Sequence, residues 1–350
     1  MLYDVAEQIQ LEALREIIGA PPAGREPVFK RPTPEYVRFE RAPVVEYPDP
    51  ITIDSGERFQ CRIKYYDYGV ASVELQMRFE ANWDELIRLS SRWVMAPEFE
   101  RRASELLRAQ MKRAAPTLVQ PYSNWVNEEY YIIQLSEATD EQGQPMTAPK
   151  MLAGCGDSIA QIVRGESLRL SDAERNEVLQ ASMSYYPTDL LVAGWVAALV
   201  YDNPQGAAPT IQLLEYANTQ LLEFRHYDDL LTPVLQDVYK SLERKGGVFR
   251  RWRMAGEAER LNTIRLDVQE LAERADNAIK FLSDMFYARA YRMAAAKVGV
   301  TDYRNLVEEK LRTAGELYEF MMNEFHQARA FVLEALVVAI LVIELAALFR

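Results

Sequence analysis

The residues best suited to chemistry lie in one segment, residues 222–231. Glu223 and His226 are three positions apart, so on a helix they face the same side, as in half of a carboxylate-bridged di-iron ligand set. The other half is missing, because His326 is preceded by Glu324 and has no acid three residues earlier. We therefore predict that the protein has no metal site and no cofactor.

The same segment contains three further charged residues, Arg225, Asp228 and Asp229. We expect them to form charge-assisted hydrogen bonds that fix this helix to a neighbouring element. The alternative is a ligand pocket around His226, which would make the protein an enzyme or a ligand-binding protein.

No other pattern predicts catalysis. Residues 154–158 (GCGDS) lack the strand-elbow sequence of a nucleophile loop and are predicted to form the first turn of a helix. The chain also has no Gly and Lys signature that would cradle a phosphate. We therefore expect no catalytic residues and no enzymatic activity.

A basic segment follows the Glu223 region. Its six cations lie within fourteen residues, with Glu243 as the only opposing charge and with Phe249 and Trp252 between them; they are Lys240, Arg244, Lys245, Arg250, Arg251 and Arg253. Three interpretations stay open, namely a solvated loop, a contact with anionic lipid headgroups, and a contact with structured RNA such as that of a ribosome.

Composition limits the class of protein further. The chain has 350 residues, of which 49% are hydrophobic, and this is enough for two or three compact units. A net charge of −12 argues against nonspecific nucleic-acid binding by the whole molecule. Cys61 and Cys155 are the only cysteines, which excludes a disulfide framework and suits a reducing compartment.

Residues 330–349 form a continuous apolar stretch, interrupted only by Glu334 and Glu344. A helix of this length covers roughly 30 Å, the thickness of the hydrocarbon core of a bilayer. We predict a transmembrane helix over residues 330–350. Because the first twenty residues do not have the basic start of a signal peptide, we expect a tail-anchored, single-pass protein of the bacterial cell inner membrane with its bulk in the cytoplasm. The alternative is a buried helix in a soluble oligomer.

The two acids of this stretch suggest self-association. Glu334 and Glu344 are ten residues apart, which places them roughly 80° apart around a helix, on one broad face. In a homo-oligomer that face turns inward, where the acids can protonate or bond across helices and where Ala335 and Ala339 allow close approach.

The N-terminal part is predicted from its periodicity. Val5, Ile9 and Leu14 recur at helical spacing, so residues 1–20 are predicted to form an amphipathic helix. Residues 21–55 contain eight of the seventeen prolines and are predicted to be an extended arm or linker, or alternatively a strap over a neighbouring subunit.

Residues 56–150 are predicted to form an α+β domain. Alternating apolar residues in 61–65 and 71–79 indicate a hairpin, and helical spacing on both sides of Pro97 indicates two helices that cover it. Residues 130–135 are predicted to be a third strand, followed by a polar loop.

Residues 151–255 are predicted to form a mainly helical domain with one short strand region. A helix over 151–164 is followed by a second helix, which a capping box at Ser171 opens. Residues 190–201 are predicted to be a strand or a tight pair of strands with Trp195 buried; a helix is the alternative.

A long helix is predicted from Pro209, with a restart at Thr232. Apolar residues then recur in steps of three and four over 261–285 and again over 307–332, which is typical of a coiled coil. We predict an antiparallel hairpin stalk over residues 256–329, whose second arm continues into the membrane helix.

Several segments are shared with one protein family; they are residues 66–70 (YDYGV), residues 159–161 followed by Leu170, Ser171 and Glu174, residues 222–231 (LEFRHYDDLL), residues 260–262, and the pairs Leu333-Glu334 and Ile343-Glu344. In this order and spacing, from about Tyr66 to the C-terminus, the chain resembles the required-for-meiotic-nuclear-division and YagE-type family of unknown biochemical function. The resemblance implies an α+β domain, a helical hairpin and a C-terminal membrane anchor. It also implies higher-order assembly and support of translation, as in mitochondrial relatives, and it supplies no catalytic residues.

The predicted fold class is α+β, a small sheet with covering helices, followed by a long antiparallel helical hairpin that ends in a transmembrane helix. The predicted function is a membrane-anchored homo-oligomeric scaffold whose partners are other copies of itself and the lipid bilayer. One alternative is a membrane tether for a ribosome or RNA, which would use residues 240–253. The other is an enzyme or ligand-binding protein with a pocket near His226.

Overall fold

The computed structural model describes residues 1–20, 42–140, 142–243, 256, 258–266, 268–269 and 285–348. They belong to two compact units. The first unit contains the described residues of Met1–Arg225 and Arg274–Asp302, and the second contains those of His226–Glu273 and Tyr303–Arg350. The fold class is α+β, as predicted.

The strands of the first unit form two sheets. In chain order they are β1 (Leu2–Ile9), β2 (Val44–Glu46), β3 (Ile51–Thr52), β4 (Arg58–Tyr65), β5 (Val70–Gln76), β6 (Leu118–Glu128), β7 (Tyr131–Leu135), β8 (Ser182–Met183), β9 (Leu190–Ala193) and β10 (Ala197–Tyr201). The first sheet has the order β2-β4-β5-β1-β6, with β3 paired to β4, and its pairings are antiparallel. The second has the order β7-β10-β9-β8, in which β7 is parallel to β10 and the other pairings are antiparallel.

The helices connect and cover these sheets and continue into the second unit. They are α1 (Leu11–Ile18), α2 (Trp83–Trp93), α3 (Pro97–Ala114), α4 (Ala148–Arg164), α5 (Asp172–Gln180), α6 (Pro204–Glu243), α7 (Met285–Val298) and α8 (Val300–Leu348). Residues 258–266 are also helical. The boundary between the two units falls inside α6, between Arg225 and His226.

The prediction of one amphipathic helix over residues 1–20 is wrong for its first half. Residues 2–9 form β1, and only Leu11–Ile18 are helical. β1 lies between β5 and β6 and is buried on both faces, so it lacks the apolar and polar alternation that marks a half-exposed strand. The four-residue step from Val5 to Ile9 fits a helix equally well, and tertiary pairing decides the outcome.

The predicted extended arm over residues 21–55 is corrected at its C-terminal end. β2 and β3 fall inside this range, and both pair with β4. Residues 21–41, which contain five of the eight prolines of this range, lie outside the described residues.

The hairpin prediction is confirmed by β4 and β5, and the helices around Pro97 are confirmed by α2 and α3. α3 packs on the first sheet through Leu107 and Met111. α2 contacts this sheet through Trp93, which packs against Phe59 of β4, but its Leu86 belongs to the core of the second sheet. The predicted third strand is β7, but it lies in the second sheet. The strand that extends the first sheet is β6, which the sequence pattern did not indicate.

In the middle of the chain, α4 and α5 are confirmed. The Ser171 hydroxyl accepts a hydrogen bond from the Glu174 backbone N–H at 3.2 Å, as an N-cap does. Residues 154–158 lie inside α4 and do not form its first turn.

Residues 190–201 are the predicted tight pair, β9 and β10. The prediction that Trp195 is buried is wrong, because its side chain is 64% exposed in the turn between these strands. α6 is also not restarted at Thr232, whose hydroxyl donates to the Asp228 carbonyl oxygen one helical turn earlier at 2.7 Å.

The turn between β4 and β5 fits closely against β1. The Val5 N–H donates to the Gly69 carbonyl oxygen at 3.1 Å. Gly69 has φ +95°, and a Cβ atom there would lie 1.8 Å from the Ala6 carbonyl oxygen. Only glycine meets both requirements, because it tolerates positive φ and has no side chain to collide with β1.

The two faces of β1 contact different apolar clusters. Tyr3 and Val5 pack with residues of α1 and α3, including Leu14 and Leu107. Leu2, on the other face, belongs to a cluster that includes Leu222 of α6. Since alternate strand residues share a face, Asp4 is on the same side as Leu2.

The second unit is built on one stripe of α8. Residues that are at most 1% exposed recur every seven positions, at Val307, Ala314, Met321 and Ala328. Ala314 and Met321 pack in a cluster with residues of α6 and of the helical segment 258–266; the other buried members are Leu235, Val238, Ala258 and Leu261.

The predicted coiled-coil hairpin is not shown by the described residues. Its first arm was expected over 261–285, and residues 270–284 lie outside the description. α7 begins at Met285 but belongs to the first unit, where the Lys297 ammonium pairs with Glu177 of α5.

The C-terminal part of α8 differs from the rest of the chain. By length and composition this helix, over Val300–Ala347, is able to cross a membrane, and its most apolar window is 0% buried. Large apolar side chains such as Leu336, Ile340 and Ile343 are 54–67% exposed. A long apolar C-terminal helix is therefore present, as predicted.

Candidate functional site

The charged residues predicted on segment 222–231 do not form one site. Successive residues of a helix point about 100° apart, so these side chains meet different neighbours. Glu223 and Arg225 belong to the first unit, and His226, Asp228 and Asp229 belong to the second. Glu223 and His226 are buried, whereas Asp229 is exposed.

Two of these residues confirm the expected charge-assisted hydrogen bonds. In the first unit, the Arg225 guanidinium pairs with the Glu128 carboxylate at the end of β6 and donates to the Asn127 carbonyl oxygen at 3.3 Å. In the second unit, the Lys310 ammonium of α8 pairs with the Asp228 carboxylate. Both contacts fix α6 to a neighbouring element, which is a structural role.

His226 is 7% exposed. Burial lowers the pKa of its imidazole, although the Asp229 carboxylate acts in the opposite direction, so the ring is neutral at pH 7. Among the described residues, no group of three or more His, Cys, Asp or Glu side chains is arranged to hold a metal ion. A ligand pocket near His226 stays a prediction.

Of the six cations of the basic segment, the structure describes only Lys240. Lys240 is exposed near the end of α6, with its ammonium 3.6 Å from an Asp237 carboxylate oxygen. The other five cations lie outside the described residues; they are Arg244, Lys245, Arg250, Arg251 and Arg253. Contact with lipid headgroups or RNA through this segment therefore stays a prediction.

Glu334 and Glu344 are exposed on the apolar part of α8, among side chains that are themselves exposed. The helix is continuous across both positions. The structure thus places these acids on one uninterrupted apolar helix, as the sequence predicted.

A second acid pair was not indicated by the sequence pattern. Asp4 lies in the central strand β1, opposite Val70 of β5 and Val126 of β6, and is 1% exposed. Burial and the nearby carboxyl group of Glu223, which is 4% exposed on α6, raise the pKa of Asp4 well above its ordinary value. A raised pKa favours the neutral form of this carboxyl group, which is able to donate a hydrogen bond.

Two tyrosines of the β4–β5 turn lie close to the same helix. The rings of Tyr66 and Tyr68 stack with their centroids 5.3 Å apart, and the Tyr68 hydroxyl donates to the Thr219 hydroxyl oxygen at 3.1 Å. Burial raises the pKa of both phenols, so they stay protonated. The YDYGV segment singled out in the sequence therefore holds the first sheet against α6.

A polar network beside these tyrosines also joins the first sheet to α6. The Lys64 ammonium pairs with Glu215 and lies 3.5 Å from a Glu74 carboxylate oxygen, and the Ser72 hydroxyl donates to Glu215 at 2.6 Å. The side chains of Lys64 and Glu215 are 12% and 10% exposed. Because these charges are paired, we interpret the network as a structural contact.

Tyr122 of β6 lies close to the acid pair. Burial raises the pKa of its phenol, and the nearby carboxyl groups of Asp4, Glu223 and Glu7 raise it further. The candidate site of the first unit is therefore the pair of Asp4 and Glu223 with the phenols beside it, on β1, α6, β6 and the β4–β5 turn.

Only one sequence signal could have indicated Asp4. It is an ionisable residue inside the otherwise apolar start LYDVA, and such a residue is costly in a buried strand unless it is neutral or paired. Glu223 was recognised, but its partner is more than two hundred residues away in sequence, and no local spacing rule joins the two.

Comparison with known proteins gives a family and no activity. A model of the family described as uncharacterized protein MJ0711, N-terminal domain, matches residues 1–208. The uncharacterized protein MJ0711 of Methanocaldococcus jannaschii is 19% identical over 187 residues, which are 53% of this chain and 57% of that protein. The match thus covers just over half of the relative's length. No solved structure matches the chain.

Two expectations gain no support from these comparisons. Neither match connects the chain with the required-for-meiotic-nuclear-division and YagE-type family, so that resemblance stays a prediction. The relative is archaeal, and it gives no support to a bacterial source.

Proposed function

We propose, from the premise that this chain belongs to the family described as uncharacterized protein MJ0711, N-terminal domain, that it is a membrane-anchored homo-oligomeric scaffold without catalytic activity. The C-terminal part of α8 crosses the bilayer once, and the bulk of the chain stays on the cytoplasmic side. The charged contacts of Arg225 and Asp228, which tie α6 to its neighbours, support a structural role for this region.

The observation that carries the proposal is the exposure of apolar side chains on α8. Ile340, Leu341 and Ile343 are 55–67% exposed, and the surrounding apolar window is 0% buried. Transfer of apolar surface from water to hydrocarbon is favourable by about 25 cal/mol for each Å². A helix that is apolar on every side meets this requirement in lipid without any protein around it.

Deletion of residues 330–350 is expected to release the protein from membranes. The buried stripe of α8 ends at Ala328, so the packed part of the second unit is retained. Membranes from cells that express the full chain or the truncated chain are washed with high salt and with alkaline carbonate, and the protein is measured in pellet and supernatant. The full chain should stay in the pellet, and the truncated chain should be soluble.

A full-length variant separates anchoring from chain length. Leu336→Arg with Ile340→Arg keeps the full length of α8 but adds about 2.5–3.5 kcal/mol per arginine to the cost of insertion. It should also move to the soluble fraction. Salt-resistant sedimentation of the truncated chain, with an unchanged unfolding temperature, would rule out the C-terminal anchor.

Self-association is proposed to use the apolar part of α8. In lipid, Glu334 and Glu344 are costly when they face hydrocarbon, and the cost falls when they face another helix. The partner that offers a matching face is a second copy of the chain.

Replacement of both acids by leucine is expected to leave insertion intact and to lower the oligomer mass in mild detergent, measured by light scattering. The matched control is Glu309→Leu with Glu319→Leu, because these two exposed acids have the same ten-residue spacing on the same helix but lie outside the apolar part. The control should keep the mass of the unchanged protein. Equal masses for all three proteins would show that the acids do not support assembly.

A further inference from the structure

The contact between β1 and α6 places two carboxyl groups inside an apolar cluster. Leu2 of β1 packs in one cluster with Val70 and Leu222, and Val126 packs against it. Asp4 shares the face of Leu2 and is paired in register with both valines. Glu223 follows Leu222 directly on α6. The Asp4 carboxyl interacts electrostatically with that of Glu223, so the two acids lie near each other at this buried contact.

Burial makes two negative charges at this position unfavourable. Asp4 is 1% exposed and Glu223 is 4% exposed, so water solvates neither carboxylate well. An ionised carboxylate in a low-dielectric environment is costly, and a second one close by adds repulsion. Paired carboxyl groups in such a site hold one proton between them, because both cannot ionise together.

We propose that Asp4 and Glu223 form a proton-binding site, in which the two carboxyl groups share one proton across the contact between β1 and α6. The proton lies on one carboxyl oxygen and is donated to the other group, which accepts it as a carboxylate. The ligand of this site is therefore a proton, taken up from water when the first unit folds.

The titratable groups near the pair favour retention of the proton. They come from each element at this contact and are Glu7 of β1, Tyr122 of β6, Tyr68 of the β4–β5 turn, and Tyr216 of α6. At neutral pH a tyrosine is uncharged and a glutamate is negative, so these groups bring no positive charge. Burial and the Glu223 carboxyl both raise the pKa of Asp4, in agreement with this arrangement.

The site makes stability depend on pH in one direction. In the unfolded chain both acids lose their protons near pH 4. The folded chain keeps one proton to higher pH, so its contribution to stability is fully present below about pH 4 and is lost as pH rises towards the raised pKa. In that window the unfolding equilibrium constant should rise about tenfold for each pH unit because of this one proton.

The test uses the full chain in detergent and the double variant Asp4→Asn with Glu223→Gln, which keeps the side-chain shapes but cannot ionise. The control is Asp49→Asn with Glu80→Gln, which removes two exposed carboxyl groups. Unfolding by denaturant is measured from pH 5 to pH 8. Relative to the double variant, the unfolding equilibrium constant of the unchanged protein and of the control should rise by about a further factor of ten for each pH unit.

Infrared difference spectroscopy of the folded proteins gives a second readout that does not depend on unfolding. The carbonyl stretch of a protonated carboxyl group should be present at pH 7 in the unchanged protein and in the control, and it should be weaker in the double variant by the contribution of one carboxyl group. If the unchanged protein shows no such band at pH 7, or if its pH slope equals that of the double variant, both acids are ionised and the proposal is wrong.

Discussion

Replacement of Gly69 by alanine is expected to lower the free energy of unfolding of the first unit by at least about 3 kcal/mol. Two costs add at this position. A residue with a side chain is strained at φ +95°, and its Cβ atom would lie 1.8 Å from the Ala6 carbonyl oxygen. That oxygen belongs to the central strand β1, so relief of the collision must move either β1 or the β4–β5 turn. The measurement is denaturant unfolding of the full chain, followed by tryptophan fluorescence.

Gly56→Ala is the matched control, because Gly56 has the same φ of +95° but nothing within 4 Å of the added Cβ atom. This variant should cost only the backbone strain, about 1–2 kcal/mol. The difference in the free energy of unfolding between the two variants measures the cost of the collision with β1. Equal losses of stability would show that the turn does not press on β1, and the description of this contact would have to be revised.

Replacement of Lys310 by methionine is expected to destabilise the second unit by about 1–3 kcal/mol. The Lys310 ammonium pairs with Asp228 and donates to the Thr232 hydroxyl oxygen at 2.6 Å, and the side chains of Lys310 and Asp228 are 21% and 18% exposed. Methionine keeps most of the apolar stem but leaves the Asp228 carboxylate in a poorly solvated place without its cation. Thermal unfolding of the full chain in detergent measures the effect.

The control is Arg312→Met, two positions further along α8. Arg312 has an ion pair with Glu316 at 3.7 Å, but both side chains are about 70% exposed, so its loss should cost less than about 0.5 kcal/mol. The double variant Asp228→Asn with Lys310→Met should be less damaging than the sum of the two single variants, because the buried charge is then removed together with its partner. Additive losses would indicate that the two side chains do not interact.

Elements with a strong local pattern could be predicted from the sequence. The residues of β4 alternate between a buried and a more exposed face, and Ser171 caps α5 through its own hydroxyl. The short apolar run of β9 and β10 could be recognised as strands, but Trp195 was misplaced, because hydrophobicity alone does not distinguish a turn residue from its buried neighbours.

The missed strands lack such a pattern for physical reasons. β6 is an edge strand, so it tolerates Pro121 and many polar residues, and it resembles a loop in sequence. β1 is buried on both faces and owes its conformation to pairing with β5 and β6. The pair of Asp4 and Glu223 could not be predicted while residues 2–9 were assigned to a helix, because the pair exists only where β1 is a strand and α6 packs on it.

The position of β1 also sets the order in which the first sheet is completed during synthesis. Leu2 pairs with Ser72 on one side and with Glu128 on the other. At about 5–20 residues per second, a ribosome makes Glu128 roughly 6–25 s after Leu2. β1 therefore leaves the ribosome long before either neighbouring strand exists, with both of its hydrogen-bonding edges unpaired. Until β6 is made, the nascent chain must hold this interior strand without its full set of pairings, and this is the period in which a chaperone that binds short apolar segments has the most to protect.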